Sequence, residues 1–238
     1  MGGKFIKGAL VEFMPTFLIP LPNVIIFQFN PEMMTHTWTQ PEAAPSTGGP
    51  GTQSNPLAVK GMPGESFSFT VAMDAGDMIS DGGPIGEGLA TVSGIYTRLA
   101  ALEMLQYPVP AAGGDLVGSV SAAAGAASGA AGGDAAQRSI PEMQVPTVLF
   151  VWGPGRIVPV RVTGLTITEK LYDALLNPTY AEAQLSLRVL TPEELLYVTG
   201  PLKDIAKGAY TYSQGLRQAL AIANLANAVE SIIGMLPL

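Results

Sequence analysis

The chain is 238 residues long, 47% hydrophobic and only 13% charged, with a formal net charge of −7. Its 12 Lys and Arg form no cluster, which excludes the phosphate-neutralising surface that nucleic acid requires. With no cysteine and one histidine, His36, it can make no disulfide, thiol nucleophile, iron–sulfur cluster, or metal site built on Cys or several His.

In chain order, Lys4 and Lys7 precede an apolar stretch that resembles a secretory leader. Glu12, Pro15 and Pro20 interrupt it, and no small-residue cleavage site follows, so alternation through Leu10, Glu12 and Met14 reads better as a strand. Val24 to Asn30 is β-branched and aromatic and predicts a strand, ended at Asn30-Pro31 because proline has no ladder donor. Met33 to Trp38 is a second apolar run. Residues 41–64 are rich in Pro and Gly and predict a long loop. Phe67, Phe69, Val71 and Met73 alternate with small polar residues, the pattern of a strand with one buried face.

Residues 74–88 read as a Gly/Asp loop. A helix fits 89–107, where Leu89, Val92, Ile95, Tyr96, Leu99, Leu102 and Leu105 recur at three- and four-residue steps. Residues 111–136 are an Ala/Gly/Ser tract in which repeated Gly denies a stable helix and small side chains deny a core, and predict a disordered or poorly ordered surface insertion. Strands are predicted again at 147–152, 156–171 and 183–190, with Gly164 marking a bulge. Thr191-Pro192-Glu193-Glu194 is a helix-start signature. Near the C-terminus, Ile222, Leu225, Ala226, Val229, Ile232, Ile233 and Leu236 share one helical stripe, opposed by Asn and Gln rather than by charge. These elements predict a mainly β (α+β) domain over residues 1–200 with one inserted helix, and an apolar helical tail over 201–238. Polar residues make that tail a poor bilayer span.

The residues offer little chemistry. His36 has no second His or Cys to join it and reads as structural. Asp74, Asp77, Asp81 and Glu87 lack the spacing of a calcium loop, and Gly83, Gly86 and Gly88 are not a phosphate-binding fingerprint. Glu193 and Glu194 are adjacent acids of a helix start. We therefore expect no catalytic residue, no cofactor, no metal, no enzymatic activity and no small-molecule substrate.

Two other marks are sharper. Phe27-Gln28-Phe29-Asn30-Pro31-Glu32 closes an early strand, and Val151-Trp152-Gly153 closes a later one. In this order, and followed by Leu176-Asn177-Pro178-Thr179-Tyr180-Ala181 before an alternating strand, they resemble the N-terminal tube-like domain of contractile injection system baseplate proteins. The resemblance spans about residues 5–200 and rests on Phe27, Phe29, Asn30, Pro31, Glu32, Trp152, Gly153, Asn177, Pro178 and Ala181. It implies a tail-tube-like β-barrel of two packed antiparallel sheets. It also implies a sixfold homo-oligomeric ring that joins the central spike protein to the inner tube protein among other baseplate subunits, and that starts tube assembly. Such a protein would assemble in the cytoplasm and be incorporated into a phage-tail-like particle. The chain departs from the family where Tyr180 stands in place of a frequent Arg, and where 191–238 holds no LysM-like peptidoglycan-binding sequence.

Composition agrees with an assembly subunit. A monomer of this mass exposes on the order of 10,000 Å², so each of its 31 charged side chains would serve about 330 Å², against about 170 Å² at usual composition. Either the surface is unusually rich in Ser, Thr, Gly and Ala, or much of it is buried against neighbouring chains, and the second fits an assembly subunit. The competing readings are another layer of the same machine, whether inner tube or terminator, and a membrane-surface protein held by residues 216–238.

Overall fold

The computed structural model describes residues 6–13, 22–41, 57–77, 93–110, 143–198 and 202–235. The 111–136 tract, most of the 41–64 loop, and Asp81 and Glu87 of the acidic loop lie outside them.

Nine strands form in the described residues: β1 (Ala9–Phe13), β2 (Pro22–Ile26), β3 (Met34–Thr39), β4 (Gly64–Asp74), β5 (Val109–Pro110), β6 (Met143–Gln144), β7 (Val148–Val151), β8 (Ile157–Tyr172) and β9 (Pro178–Val189). Helix α1 (Tyr96–Met104) sits between β4 and β5. A 3-10 turn at Glu194–Leu196 precedes helix α2 (Leu202–Met235). Seven strands make one sheet in the order β2-β1-β7-β8-β9-β4-β3, and β5 and β6 pair separately. Every pairing is antiparallel.

The alternation read in the sequence sets which face is buried. In β4, Phe67, Phe69, Val71 and Met73 point inward, while Ser66, Ser68 and Ala72 are only partly covered and Thr70 is exposed. In β9, Ala181, Ala183, Leu185, Leu187 and Val189 do the same. The register of β8 on β9 slips at Thr163, so the bulge expected at Gly164 falls beside it and bends the strand there.

The two packed sheets expected from the resemblance are instead one sheet that curls on itself. Neighbouring strands lie about 4.8 Å apart, so β7 and β4, three places apart in the order, would be ~14 Å apart in a flat sheet. Yet the Phe150 ring of β7 lies 5.3 Å from Phe67 and 5.4 Å from Phe69 of β4. Phe27, just beyond β2, lies 5.5 Å from Phe69. The curl brings these rings together on the inner face. Ile95, Leu99, Leu102 and Leu105, on and beside α1, are buried in the same cluster, so α1 covers the hydrophobic interior. Among the described residues no backbone ladder joins β2 to β3, and the sheet is not closed by hydrogen bonds along its edges.

Sequence and structure also part at 27–30. The predicted strand stops at Ile26, and beyond it the side chains of Gln28 and Asn30 hold the chain to β4 and to the residues before β1.

Candidate functional site

Phe27, Gln28 and Asn30 lie where the two halves of the curled sheet meet. The Phe27 N–H donates to the Gly8 carbonyl at 2.9 Å. Gln28 Nε2 donates to the Asp74 carbonyl at 2.8 Å, and its Oε1 accepts from the Asp74 N–H at 2.9 Å. Asn30 repeats the arrangement on the other side: Oδ1 accepts from the Gly8 N–H and Nδ2 donates to the Ile6 carbonyl, both at 2.9 Å. A carboxamide offers a donor and an acceptor, as a peptide group does. The two side chains thus take the place of missing ladder bonds, Gln28 at the end of β4 and Asn30 at the start of β1.

The two marks of the resemblance meet in space. Trp152 packs 6.4 Å from Phe27 and 6.1 Å from Phe150, ring to ring. A Cβ on Gly8 would lie 2.7 Å from the Trp152 ring and 2.8 Å from Phe27, so only glycine lets β1 pass between them. Gly153 has φ +69°, which glycine adopts without strain, and turns the chain from β7 into β8. Pro31 is half-buried, while Phe29 and Glu32 are exposed. Asn177, Pro178 and Ala181 belong to the β8–β9 hairpin. The Pro178 carbonyl accepts from the Ile95 N–H at 3.0 Å and so pins the approach to α1, and Ala181 is fully buried.

The tip of that hairpin is built around Asp173. Its Oδ1 accepts from the N–H groups of Leu175 and Asn177, both at 2.8 Å, and its Oδ2 accepts from Asn177 Nδ2 at 2.9 Å. These bonds, led by Asn177, hold the Asp173 carboxyl below the usual carboxylate range. The turn carries Leu175 and Leu176 at its end, 79% and 75% exposed.

A third cluster joins the sheet to α2. Glu65 of β4 is 4% exposed. Its carboxylate accepts from both terminal nitrogens of Arg217 and lies 2.8 Å from His36 Nε2. Arg217 also lies over the Trp38 ring at 4.8 Å, and His36 stacks on Phe67 at 4.3 Å. Burial lowers the His36 pKa. The hydrogen bond and charge of Glu65 oppose this, and the Arg156 and Arg217 charges add to it. With Arg217 already neutralising Glu65, a second positive charge gains little, so His36 is a neutral donor. Further along the interface, Ser213 Oγ donates to the Ile157 carbonyl at 2.7 Å, and the Tyr212 hydroxyl donates to the Pro154 carbonyl at 2.8 Å.

Helix α2 then runs on past this contact. Residues 218–225 are all exposed, including Leu220, Ile222 and Leu225. The two terminal strands of the sheet carry no ionisable side chain apart from His36. β2 exposes Val24 and Ile26, and β3, Met-Thr-His-Thr-Trp-Thr, exposes Trp38.

Among the described residues no group of three or more His, Cys, Asp or Glu could hold a metal ion. An open groove of about 1060 Å³ lies beside Asn30, Glu32, Thr70, Tyr180, Glu182 and Gln184. Its Glu182 is held by Lys170 and by Tyr180, and the Lys170 hydrogen bond keeps it below the usual carboxylate range. Burial raises the pKa of Glu12 at the start of the sheet, against a hydrogen bond from Asn23. Glu194 closes a reciprocal pair with Thr191: the Thr191 N–H donates to Glu194 Oε2 at 2.9 Å and the Glu194 N–H to Thr191 Oγ1 at 3.4 Å. This is the capping arrangement that its helix-start signature predicts. No described helix is long and apolar enough to cross a membrane.

The chain matches no protein-family model and no curated protein.

Proposed function

We propose that this chain is a structural baseplate subunit of a contractile injection system. Copies form a sixfold ring that joins the central spike to the inner tube and initiates tube assembly, and the curled sheet acts as a tail-tube-like barrel. The observation that carries this reading is the pair of terminal strands. Monomeric proteins blunt such edges with lysine, proline or other charge. Here β3 has none of these, and β2 has only Pro22, at its first position. Edges left open in this way suit strand pairing between subunits. A head-to-tail contact of β2 on β3 closes into a ring when the rotation per copy divides a full turn. The exposed Leu175–Leu176 tip gives each copy an apolar finger for a layer above or below.

The aromatic interior and the two carboxamide bridges support the barrel. The shortage of charge supports burial on several sides. The same reading has the subunit assemble in the cytoplasm and enter a phage-tail-like particle, without nucleic acid, cofactor or small-molecule substrate. Negative-stain imaging and native mass spectrometry of the purified chain, alone and with its spike and tube partners, test it. The expected result is a hollow ring of six copies. A monodisperse species near 24.7 kDa under both conditions would overturn it. Open-ended tubes from the chain alone would assign it to the inner tube instead.

A further inference from the structure

The faces of α2 change role along its length. A helix turns about 100° per residue, which places Ala206, Ser213 and Arg217 on one face. That face meets the body: Ala206 and Ser213 are buried there, and Arg217 holds Glu65. Carried past the body, the same face passes through Leu220, Asn224, Asn227 and Ser231 in the sequence, and so becomes mostly polar. Ile222 lies half a turn away from Ser213. It begins a second, apolar pattern of Ile222, Leu225, Val229 and Ile232 at steps of three, four and three, with Leu236 four further on in the sequence. This is the heptad spacing of helices that pack on other helices. Ile222 is 69% and Leu225 64% exposed, so the start of the seam has no partner among the described residues.

We propose that residues 221–235 of α2 form a self-association helix, through which three or more copies of the chain join in a parallel bundle along the Ile222–Leu225–Val229–Ile232 seam.

Three observations choose this occupant. With Ile222 and Val229 at a and Leu225 and Ile232 at d, the flanking e and g positions are Ala221, Ala226, Ala228, Ile233 and Met235, while Asn224, Asn227, Glu230 and Ser231 fall at b, c and f. Charged e and g residues select a different partner or orientation, and none is present here, so identical helices meet without repulsion. The area argues against a simple pair. Fifteen residues rise about 22 Å, and a strip that long and about 10 Å wide falls far short of the ~800 Å² per partner of a standard stable interface. An apolar band that spans a, d, e and g is covered on both flanks only in a bundle, and cyclic symmetry of three or more copies makes the helices parallel. A lipid surface fits poorly, because interfacial helices carry Lys and Arg on their polar face. Residues 218–238 hold one ionisable side chain, Glu230.

The absence of cysteine gives a clean test in the full chain. Leu225→Cys places one thiol in the seam, and Asn227→Cys places one on the opposite side. Under mild oxidation, Leu225→Cys is expected to give disulfide-linked dimers on a denaturing gel at least tenfold more readily than Asn227→Cys. Ile222→Glu with Leu225→Glu is expected to lower the mass seen by light scattering while circular dichroism keeps the folded spectrum. Equal or no cross-linking from the two cysteines overturns the proposal, as does, in a chain that images without rings, an unchanged mass in the double Glu variant. Loss of binding to phosphatidylcholine–phosphatidylglycerol vesicles in the Glu variant, with no seam cross-link, assigns the helix to lipid and overturns it too. The inference does not rest on the ring. Rings without seam cross-links sink the bundle alone, and seam cross-links in a chain that images without rings sink the ring alone.

Discussion

Single residues decide where this sheet bends and how it is held. Gln28 satisfies both backbone groups of Asp74, and shortening it strands a donor and an acceptor together. Gln28→Ala should destabilise the fold by about 1–3 kcal/mol, the cost of leaving such groups unpaired. Gln28→Glu, which keeps the acceptor but loses the donor, should fall between the two in urea titration. A Gln28→Ala variant as stable as the parent would mean that the bridge carries nothing. His36 links stability to pH. Its pKa is lowered on folding, so the folded state favours the neutral ring. The stability this brings is complete above the ordinary value near 6.5 and is lost as pH falls through that value and on through the folded one. Melting temperature should therefore drop between pH 7.5 and 5, and the drop should be shallower in His36→Gln. Parallel curves for the two proteins would exclude His36 as the source.

Elements respond to the contacts that dock them. Helix α2 is fixed to the sheet by Arg217 on Glu65, by Ser213 on Ile157 and by Tyr212 on Pro154. Removing Arg217 leaves a buried carboxylate beside a neutral histidine. Because the guanidinium is itself partly exposed, Arg217→Ala should cost about 2–3 kcal/mol, somewhat less than breaking a fully buried pair. Arg217→Lys should restore only part of that, since an ammonium cannot reproduce the two-pronged contact. Chemical denaturation checks the order wild type, Lys, Ala; equal stabilities would show that the helix docks by packing alone. Strand alternation in β4 and β9 was legible from the sequence because one face of each is buried and period two survives in the letters. The end of β2 was not legible. Phe27 to Asn30 has strand-like composition, and only the partners of Gln28 and Asn30 reveal that side chains replace the ladder there.

For the whole molecule, the terminal strands β2 and β3, each paired on one side only among the described residues, are the feature to test. Thr37 is exposed on the terminal strand β3, so Thr37→Lys should leave the melting temperature within about 0.5 kcal/mol equivalent while abolishing rings in negative stain. Rings that persist would show that β3 is not a lateral contact. How the parts would meet was the least readable property. Phe27 and Trp152 stood out separately as marks, but their packing around Gly8 depends on a curl that no local pattern encodes. The single rolled sheet in place of two stacked ones has the same origin. Likewise the stripe of the last helix was evident from spacing, whereas its turning away from the body at Arg217 depends on which face the sheet already holds.

The join made by Gln28 and Asn30 contains no ionisable atom. The bonding atoms themselves carry no charge for brine to screen, and a move to vinegar-strength acid has no proton to add to them. The rolled shape is therefore fastened, at that join, by bonds that salt and acid barely touch.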